Sequence, residues 1–261
     1  MLALTSAAQA ADLTRAERDR MLAADIVLLG EIHDNPAHHL IQAEMIEALE
    51  PTAVVFEMLS PAQAAEVNAD DKSNLTALGA KIGWEAAGWP PFSLYVPIFA
   101  ALGDTPVIGA ASPRAEIRAA FQGGAAAVFG LDAATFGLHT PLPDPEREAR
   151  AEMQFEAHCR AMPRDMMGGM IEAQRLRDAR FSAATLEALA RFGPPVAVIT
   201  GNGHARRDWG MPALIATAAP EVTVFALGLL EAPAAPDDDR FDATLITPPA
   251  ERDDPCAAFS N

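Results

Sequence analysis

The sequence predicts an α/β fold: a mostly parallel sheet covered by helices, with a helical insertion between the third and fourth core strands. Five short apolar runs recur along the chain, each followed by a polar or glycine-containing turn and then a helical pattern. The runs lack polar alternation, which is typical of strands buried on both faces of a parallel sheet. With 261 residues and a 50% hydrophobic composition, the chain can bury a sizeable core.

The strands follow from these runs in chain order. They are DIVLLG (25–30), TAVVFE (52–57), TPVIGA (105–110), PPVAVIT (194–200) and EVTVFALG (221–228). A last run, FDATLITPP (241–249), follows a turn-rich loop and is predicted to add an edge strand. Residues 25–261 are therefore interpreted as a single domain, preceded by an N-terminal segment, 1–24.

The helical insertion spans about residues 113–193, where no comparable apolar run occurs. Its composition favours helix from Glu146 to Arg160 and again from Pro163 to about Arg180. Proline is tolerated in the first turn of a helix and not in its interior, so Pro163 predicts the start of the second helix.

Composition excludes some classes of partner. A formal net charge of −17 repels phosphate backbones, so we expect no nucleic-acid partner. No apolar run approaches the roughly 20 residues that span a bilayer, so no transmembrane segment is predicted. Cys159 and Cys256 lie far apart and predict neither a disulfide framework nor a paired metal motif, and they leave the compartment open.

The first ten residues, MLALTSAAQA, have two interpretations. Their small residues resemble the end of a secretory signal, which predicts a periplasmic or cell-envelope location. A frayed, alanine-rich N-terminus fits equally well, and the location would then be cytoplasmic.

Polar side chains gather where four of the predicted strands end. Glu31 and His33 follow the first run, Glu57 ends the second, Arg114 follows the third, and a histidine and two arginines follow the fourth. Ligands of doubly wound sheets bind outside the carboxyl ends of the strands. This convergence predicts a functional site at that edge.

The stretch LLGEIHDNPAHH carries three of the six histidines. Glu31 and His33 share one face of an extended segment and fit metal ligands, a general acid/base pair, or donors around a cofactor. The structural alternative is a polar turn in which Asn35 caps the next helix. His38 and His39 are expected to be solvated in the first turn of that helix.

A second motif, TGNGHARRDWG, places His204 after two glycines that permit close backbone approach. The histidine is either a site residue or a satisfied turn residue. Arg206 and Arg207 form the chain's only adjacent arginine pair and are candidates to clamp a carboxylate-bearing ligand, with a plain surface role as the alternative.

An aromatic stretch, residues 82–99, holds two of the three tryptophans and the single tyrosine, Tyr95. Trp84 and Trp89 are interpreted as core residues or as walls for a flat apolar ligand. In the second case Tyr95 is a candidate phenolate ligand to ferric iron.

The insertion adds His158 and several methionines, including Met166 and Met170 at a spacing of four. Methionine stripes usually belong to a core. A small helical lid over the strand ends would account for the methionines and the histidine together.

Four stretches in order resemble the ChaN-type haem-binding family, a branch of the Tiki-like superfamily that includes the erythromycin-esterase-like fold. They are LLGEIHDNPAHHLIQAEMI, WPPFSLYVPIF, MIEAQRLRDARF and ITGNGHARRDWGMPALI, and the resemblance covers about Asp25 to Pro248. It implies an α/β core with a helical insertion, and a bacterial, often secreted or lipoprotein-like protein of haem or iron uptake that works with an outer-membrane haem receptor system. The N-terminal cysteine of lipid-anchored members is absent.

The resemblance also implies a ligand set. Tyr95 would bind the haem iron, with support from His33 and His204 and with Glu31 beside them. The propionates need cations, for which Arg114, Arg206 and Arg207 are the candidates. His158, Met166 and Met170 would lie against the macrocycle. Two haems face to face would link a homodimer, and the protein is expected to be a non-enzymatic haem binder.

The alternative is a hydrolase. In the wider superfamily a GxxH motif and an early glutamate serve metal-dependent hydrolysis, and residues 201–204 fit that motif. Glu31, His33, Glu57 and His204 would then bind a divalent metal that activates water. Related erythromycin-esterase-like enzymes use a similar arrangement without an obligatory metal.

Overall fold

The computed structural model describes residues 13–70, 72–235, 238–254 and 256–257. The signal-like stretch MLALTSAAQA lies outside the described residues. The strands are β1 Ile26–Glu31, β2 Ala53–Phe56, β3 Val107–Gly109, β4 Val196–Gly201, β5 Val224–Glu231 and β6 Ala243–Thr247. The helices are α1 Arg15–Leu22, α2 Pro36–Leu49, α3 Pro61–Asn68, α4 Leu75–Lys81, α5 Trp84–Ala87, α6 Phe92–Ala101, α7 Arg114–Gly123, α8 Ala125–Phe129, α9 Asp144–Ala157, α10 Met167–Phe192, α11 Asn202–Ala205 and α12 Met211–Ala218, with 3-10 turns at Leu131–Ala134 and Arg164–Met166.

The six strands form one parallel sheet in the order β3-β2-β4-β1-β5-β6. This confirms the predicted α/β class, and β6 lies at the predicted edge. Because β4 runs between β1 and β2, the carboxyl ends of all three strands are adjacent. Glu31 at the end of β1 is in register with Gly201 at the end of β4.

Each face of the sheet packs into its own apolar core. Val27 and Leu29 of β1 point into a core shared with the aromatic side chains of α6, whereas Ile26 and Leu28 point into the core formed with α10 and α12. This alternation is the two-residue period of a strand buried on both faces. The helix α1 joins the first core through the fully buried Met21, so the folded unit begins before residue 25.

The element boundaries differ from the predicted ones by a few residues. The third strand begins at Val107, two residues after the predicted start, because Pro106 has no N–H to donate to a neighbouring strand. Pro163 stands directly before the 3-10 turn that leads into α10, close to the predicted helix start. That helix continues to Phe192, beyond the predicted end.

The two cysteines form a disulfide, which their spacing in the sequence did not predict. Cys159 and Cys256 are 97 residues apart in sequence, and their Cα atoms lie 5.3 Å apart. The bond ties the C-terminal segment to the chain just after α9. No helix in the described ranges is long and apolar enough to cross a membrane.

Candidate functional site

The carboxylate of Glu31, the last residue of β1, accepts two short hydrogen bonds. Its Oε1 atom lies 2.6 Å from Nδ1 of His33 and 2.6 Å from the hydroxyl of Tyr95. Its Oε2 atom lies 3.4 Å from Nδ1 of His39. The carboxyl group is fully buried, and its Oε2 atom accepts no hydrogen bond from the described residues.

These neighbours keep Glu31 ionised. Burial alone would raise its pKa, but its contacts with His33 and His39 outweigh burial and lower the pKa to about 2. Burial and the adjacent Glu31 charge raise the pKa of Tyr95 far above its ordinary value, so its phenol stays protonated. Tyr95 is fully buried, packs at a tilt against Trp84 and donates to Glu31.

The expectation that His38 and His39 are solvated is wrong, because both are fully buried. Nδ1 of His38 accepts from the Ile32 backbone N–H at 2.9 Å, and burial lowers its pKa to about 4, so the ring is neutral. His39 donates through Nε2 to the His33 carbonyl at 3.0 Å. Burial lowers the pKa of His39, but its contacts with Glu31 outweigh burial and raise the pKa overall.

Glu57, directly after β2, lies at the centre of a second cluster. Its Oε2 atom accepts from the Thr200 hydroxyl at 2.7 Å and from the Gly201 N–H at 2.8 Å. Its Oε1 atom faces Nε2 of His204 at 3.4 Å and Nε2 of His33 at 3.9 Å. Both histidines of the sequence motifs therefore converge on one carboxylate. Burial raises the pKa of Glu57, but the two imidazoles lower it overall.

Each of these histidines also contacts a second carboxylate, through its Nδ1 atom. Nδ1 of His204 lies 2.5 Å from Asp178 of α10, just as Nδ1 of His33 bonds to Glu31. Burial lowers the pKa of His204, but Glu57 and Asp178 outweigh burial and raise it to about 10. The pKa of His33 is also raised, because Glu31 and Glu57 outweigh burial. The imidazole of His204 is therefore cationic at neutral pH.

The residues proposed to hold a divalent metal do come together: Glu31, His33, Glu57 and His204. Their donor atoms face one another in hydrogen bonds and ion pairs. Among the described residues, no group of three histidine, cysteine, aspartate or glutamate side chains is arranged to hold a metal ion. The present donor set does not fit a divalent metal.

A cleft of about 1180 Å³ opens beside this cluster, between the ends of β2 and β3 and the helices α7, α9 and α10. Its volume exceeds the roughly 300–1,000 Å³ typical of small-molecule pockets, so it suits a large ligand. Glu57 and His204 lie in its wall. Its apolar lining includes Met58, Trp89, Ile117, Phe121 and Met170.

The cleft separates the predicted site residues into two groups. Arg114, His158 and Met170 line it, as does Trp89, whereas Trp84 belongs to the core. His33, Glu31 and Tyr95 lie behind it and are not part of its lining. Met166 falls in the 3-10 turn before α10 and is also absent from the lining.

His158, the residue after α9, has one ring nitrogen committed and one available. Its Nδ1 lies 2.8 Å from the carbonyl oxygen of Gln154, and a carbonyl only accepts, so Nδ1 carries the proton. In the neutral imidazole Nε2 is then the nitrogen that can accept a hydrogen bond or bind a metal. A backbone carbonyl on the opposite ring nitrogen is the usual support of a metal-binding histidine.

The predicted arginine pair is directed away from the cleft. Arg206 is buried, pairs with Asp208 and stacks on Trp209. Arg207 forms an ion pair with Asp242 at 3.3 Å. Neither lines the cleft.

Three residues important to the site were not identified from the sequence. The interval of four residues that relates Met166 to Met170 leads, two intervals further along α10, to Asp178, so the helical period could have marked it. Arg118 lies four residues after Arg114, on the same face of α7, and Arg177 precedes Asp178.

Comparison with known proteins identifies the family. ChaN of Campylobacter jejuni, solved with cofacially bound haem, is similar in fold with a TM-score of 0.66 at 20% identity, over 88% of this chain and 90% of that chain. The type III effector HopBA1 has a TM-score of 0.48 at 11% identity over 90% of this chain and 92% of its own. The erythromycin esterase EreC has a TM-score of 0.49 at 12% identity over 88% and 78%. These last two likenesses are too remote to carry an argument.

No curated protein matches the chain. The family model for haem-binding uptake proteins of the ChaN type, in the Tiki superfamily, matches residues 18–215. Because this match includes the strand ends, the helical wall of the cleft and both histidine motifs, the chain belongs to the haem-binding ChaN family of the Tiki superfamily.

Proposed function

We propose that this protein binds haem in the cleft and serves bacterial haem or iron uptake. The observation that carries the proposal is the cleft itself, which combines a large apolar wall, an available histidine nitrogen and several arginines. A haem needs all three: apolar area for the macrocycle, a donor for the iron and cations for the propionates. The donor set of the cleft therefore fits haem, and haem iron would supply the redox and ligand chemistry when bound.

His158 is the ligand that the geometry favours. Its Nδ1 atom donates to the Gln154 carbonyl, its Nε2 atom faces no acidic partner among the described residues, and its ring lines the cleft. Ligation by Tyr95, which the family resemblance predicts, requires the buried phenol to leave Glu31 and ionise against a raised pKa. His33 and His204 would support the bound haem from their positions in the cluster around Glu57.

Haemin titration of purified variants tests both ligands. We expect saturable binding with a Soret change, and His158→Ala to weaken it by about tenfold or more, since losing even a ligand's supporting partner costs 10- to 100-fold in metal affinity. His139→Ala is the matched control, because His139 is exposed and lies outside the cleft. Loss of the Soret change in Tyr95→Phe alone would assign the tyrosine instead, and no binding at micromolar haemin would refute haem binding.

We further propose that haem links two copies of the chain, as cofacial haem binding in the Campylobacter relative suggests. The rim of the cleft carries exposed side chains such as Arg114 and Arg118, which supports a face open to a second protomer. Sedimentation velocity should show a monomer without haemin and a dimer with it. A monomer in both conditions would contradict the dimer and leave haem binding intact.

A periplasmic or cell-envelope location, and action with an outer-membrane haem receptor system, complete the proposal. The disulfide between Cys159 and Cys256 supports this location, because disulfides persist in oxidising compartments. Alkylation of free thiols in intact cells tests it: protected cysteines support export, whereas two reactive thiols indicate a cytoplasmic protein.

Hydrolysis is the second candidate, favoured by the convergence of His33 and His204 on Glu57. A general base works best with a pKa near the operating pH. The pKa of about 10 makes His204 a poor base at neutral pH, and the lowered pKa of Glu57 makes its carboxylate a weak base. Hydrolysis of a p-nitrophenyl ester that is abolished by Glu57→Gln would establish this activity.

A further inference from the structure

Cations without acidic partners are scarce in this chain, which has 36 acidic and 19 basic residues. Most arginines pair with a carboxylate, as Arg150 does with Glu146 and Arg164 with Glu152. In the described part of the chain, three arginines of the cleft form no ion pair: Arg114, Arg118 and Arg177.

Two helices bring these three arginines to one rim. Arg114 and Arg118 are four residues apart on α7 and so share a face. Arg177 lies on α10, and the contact between Arg180 and Glu116 at 3.1 Å fixes α10 against α7. The rim therefore presents cations from both helices to the same cleft.

The acidic side chains of the cleft do not neutralise this rim. Glu116 forms an ion pair with Arg180, and Glu57 faces His33 and His204. Glu187 lies ten residues from Arg177 along α10, about 15 Å at 1.5 Å per residue. That distance exceeds the Debye length of roughly 8–10 Å at ordinary ionic strength, so Glu187 is largely screened from Arg177.

Neutral groups hold two of the arginines in place. Arg114 donates to the Ala87 carbonyl at 3.2 Å, and Arg177 donates to the Gln174 side chain at 3.3 Å. Such contacts orient a guanidinium and leave its charge uncompensated, with further N–H donors available. An unpaired, oriented guanidinium matches a carboxylate.

We infer that Arg114, Arg118 and Arg177 form a subsite that recognises the carboxylates of a ligand whose apolar body lies in the cleft. For haem these carboxylates are the two propionates, an assignment that rests on the proposed function. The subsite replaces Arg206 and Arg207 as the propionate contact, because those two are paired elsewhere.

Metal-free protoporphyrin IX and its dimethyl ester test the subsite without contribution from iron ligation. We expect the double variant Arg118→Gln/Arg177→Gln to bind the diacid about threefold to tenfold more weakly, the effect of losing exposed or half-exposed ion pairs. Binding of the ester should be unchanged, and only diacid binding should weaken with added salt. Arg191→Gln is the matched control, since Arg191 lies on the same helix outside the cleft and forms no ion pair within the described residues. Thermal unfolding of each variant checks that the fold is retained.

The outcomes separate the subsite from haem binding. If wild type binds the diacid and the ester equally well, or if Arg191→Gln weakens diacid binding as much as the double variant, the subsite is wrong and porphyrin binding stands. A third probe, isophthalate, carries two carboxylates on a small aromatic ring. If the arginines are needed for isophthalate binding and neither haemin nor the porphyrins bind, the subsite stands and the haem proposal fails. If no probe binds, haemin included, both are wrong.

Discussion

At the scale of single residues, the site is a cluster of carboxylates and imidazoles that stabilise one another's charged forms. The pKa values of Glu31 and Glu57 are lowered, and the pKa values of His33, His39 and His204 around them are raised. Breaking one partner of a buried ion pair leaves an uncompensated charge, which costs about 3–5 kcal/mol. The cluster is therefore a rigid and charged wall beside the cleft.

Stability should depend on pH through His204. Its pKa is raised from 6.5 to about 10, so its stabilising contribution is complete below pH 6.5 and is lost as pH rises to about 10. Urea unfolding measured from pH 6 to 10 should show this decline. His204→Gln should remove one proton from the dependence, about 1.4 kcal/mol per pH unit, whereas an unchanged slope would contradict the assignment.

Stability should also fall in acid, through Glu31. Its pKa is lowered from 4.5 to about 2, so its contribution is present above pH 4.5 and is lost as pH falls towards 2. Urea midpoints between pH 5 and 2 measure this loss. Glu31→Gln should be less stable than wild type at pH 6, with a smaller change in acid; a Glu31→Gln curve parallel to wild type would be inconsistent with the lowered pKa.

Tyr95 should resist ionisation until the protein unfolds. It is the only tyrosine, so absorbance near 295 nm reports on it alone among phenols. Because burial and Glu31 raise its pKa, we expect no phenolate signal up to the alkaline unfolding transition. The denatured protein is the control and should titrate normally. A phenolate signal from folded protein below pH 11 would show that the phenol is accessible, as iron ligation requires.

At the scale of elements, two neighbouring glycines of α10 provide a matched pair. A Cβ atom on Gly169 would lie 2.7 Å from the Phe121 carbonyl oxygen of α7, whereas nothing lies within 4 Å of a Cβ on Gly168. Gly169→Ala should push apart the two helices that carry the arginines and cost about 1–3 kcal/mol. Gly168→Ala should leave stability unchanged or raise it by up to about 1 kcal/mol. Urea unfolding compares the two, and equal effects would show that the helices do not require this close approach.

The strands and their covering helices were predictable from the sequence, because unbroken apolar runs identify strands buried on both faces. The ends of the strands were less predictable, because hydrogen bonding to a neighbouring strand decides where a strand begins. Pro106, which has no N–H, shows this at the start of β3. Sequence placed Glu31, His33, Glu57 and His204 in one site through the geometry of parallel strands. It did not reveal that His38 and His39 are buried, because β6, which follows them by some two hundred residues, supplies Thr247 as a partner for His38.

The direction of single side chains was also beyond the sequence. Arg206 and Arg207 follow a strand end as predicted, but the turn after α11 directs them to Asp208 and Asp242. The disulfide joins positions 97 residues apart, and sequence spacing alone contains no information about such a pairing.

At the scale of the whole molecule, the disulfide closes a long loop and should stabilise the fold. A loop of about 100 residues corresponds to roughly 4–5 kcal/mol of lost unfolded-state entropy, and measured values are typically about 2–4 kcal/mol. The double variant Cys159→Ser/Cys256→Ser should lower the free energy of unfolding by about 2–4 kcal/mol. Wild type treated with reductant should match the double variant, and insensitivity to both would show that the bond contributes little. If the bond also positions the neighbouring His158, both changes should weaken haemin binding.

The place of β4 in the sheet has a consequence for how the chain folds during synthesis. β1 and β2 are made early but are not hydrogen-bonded neighbours, since β4 lies between them. Their facing edges stay unpaired while residues 57–195 are translated, about 7–28 s at 5–20 residues per second. Unpaired strand edges are sites of aggregation. During this long interval of translation the nascent chain exposes β1, which ends in Glu31, and β2, which leads to Glu57. We expect holding chaperones to bind these two strands until β4 emerges.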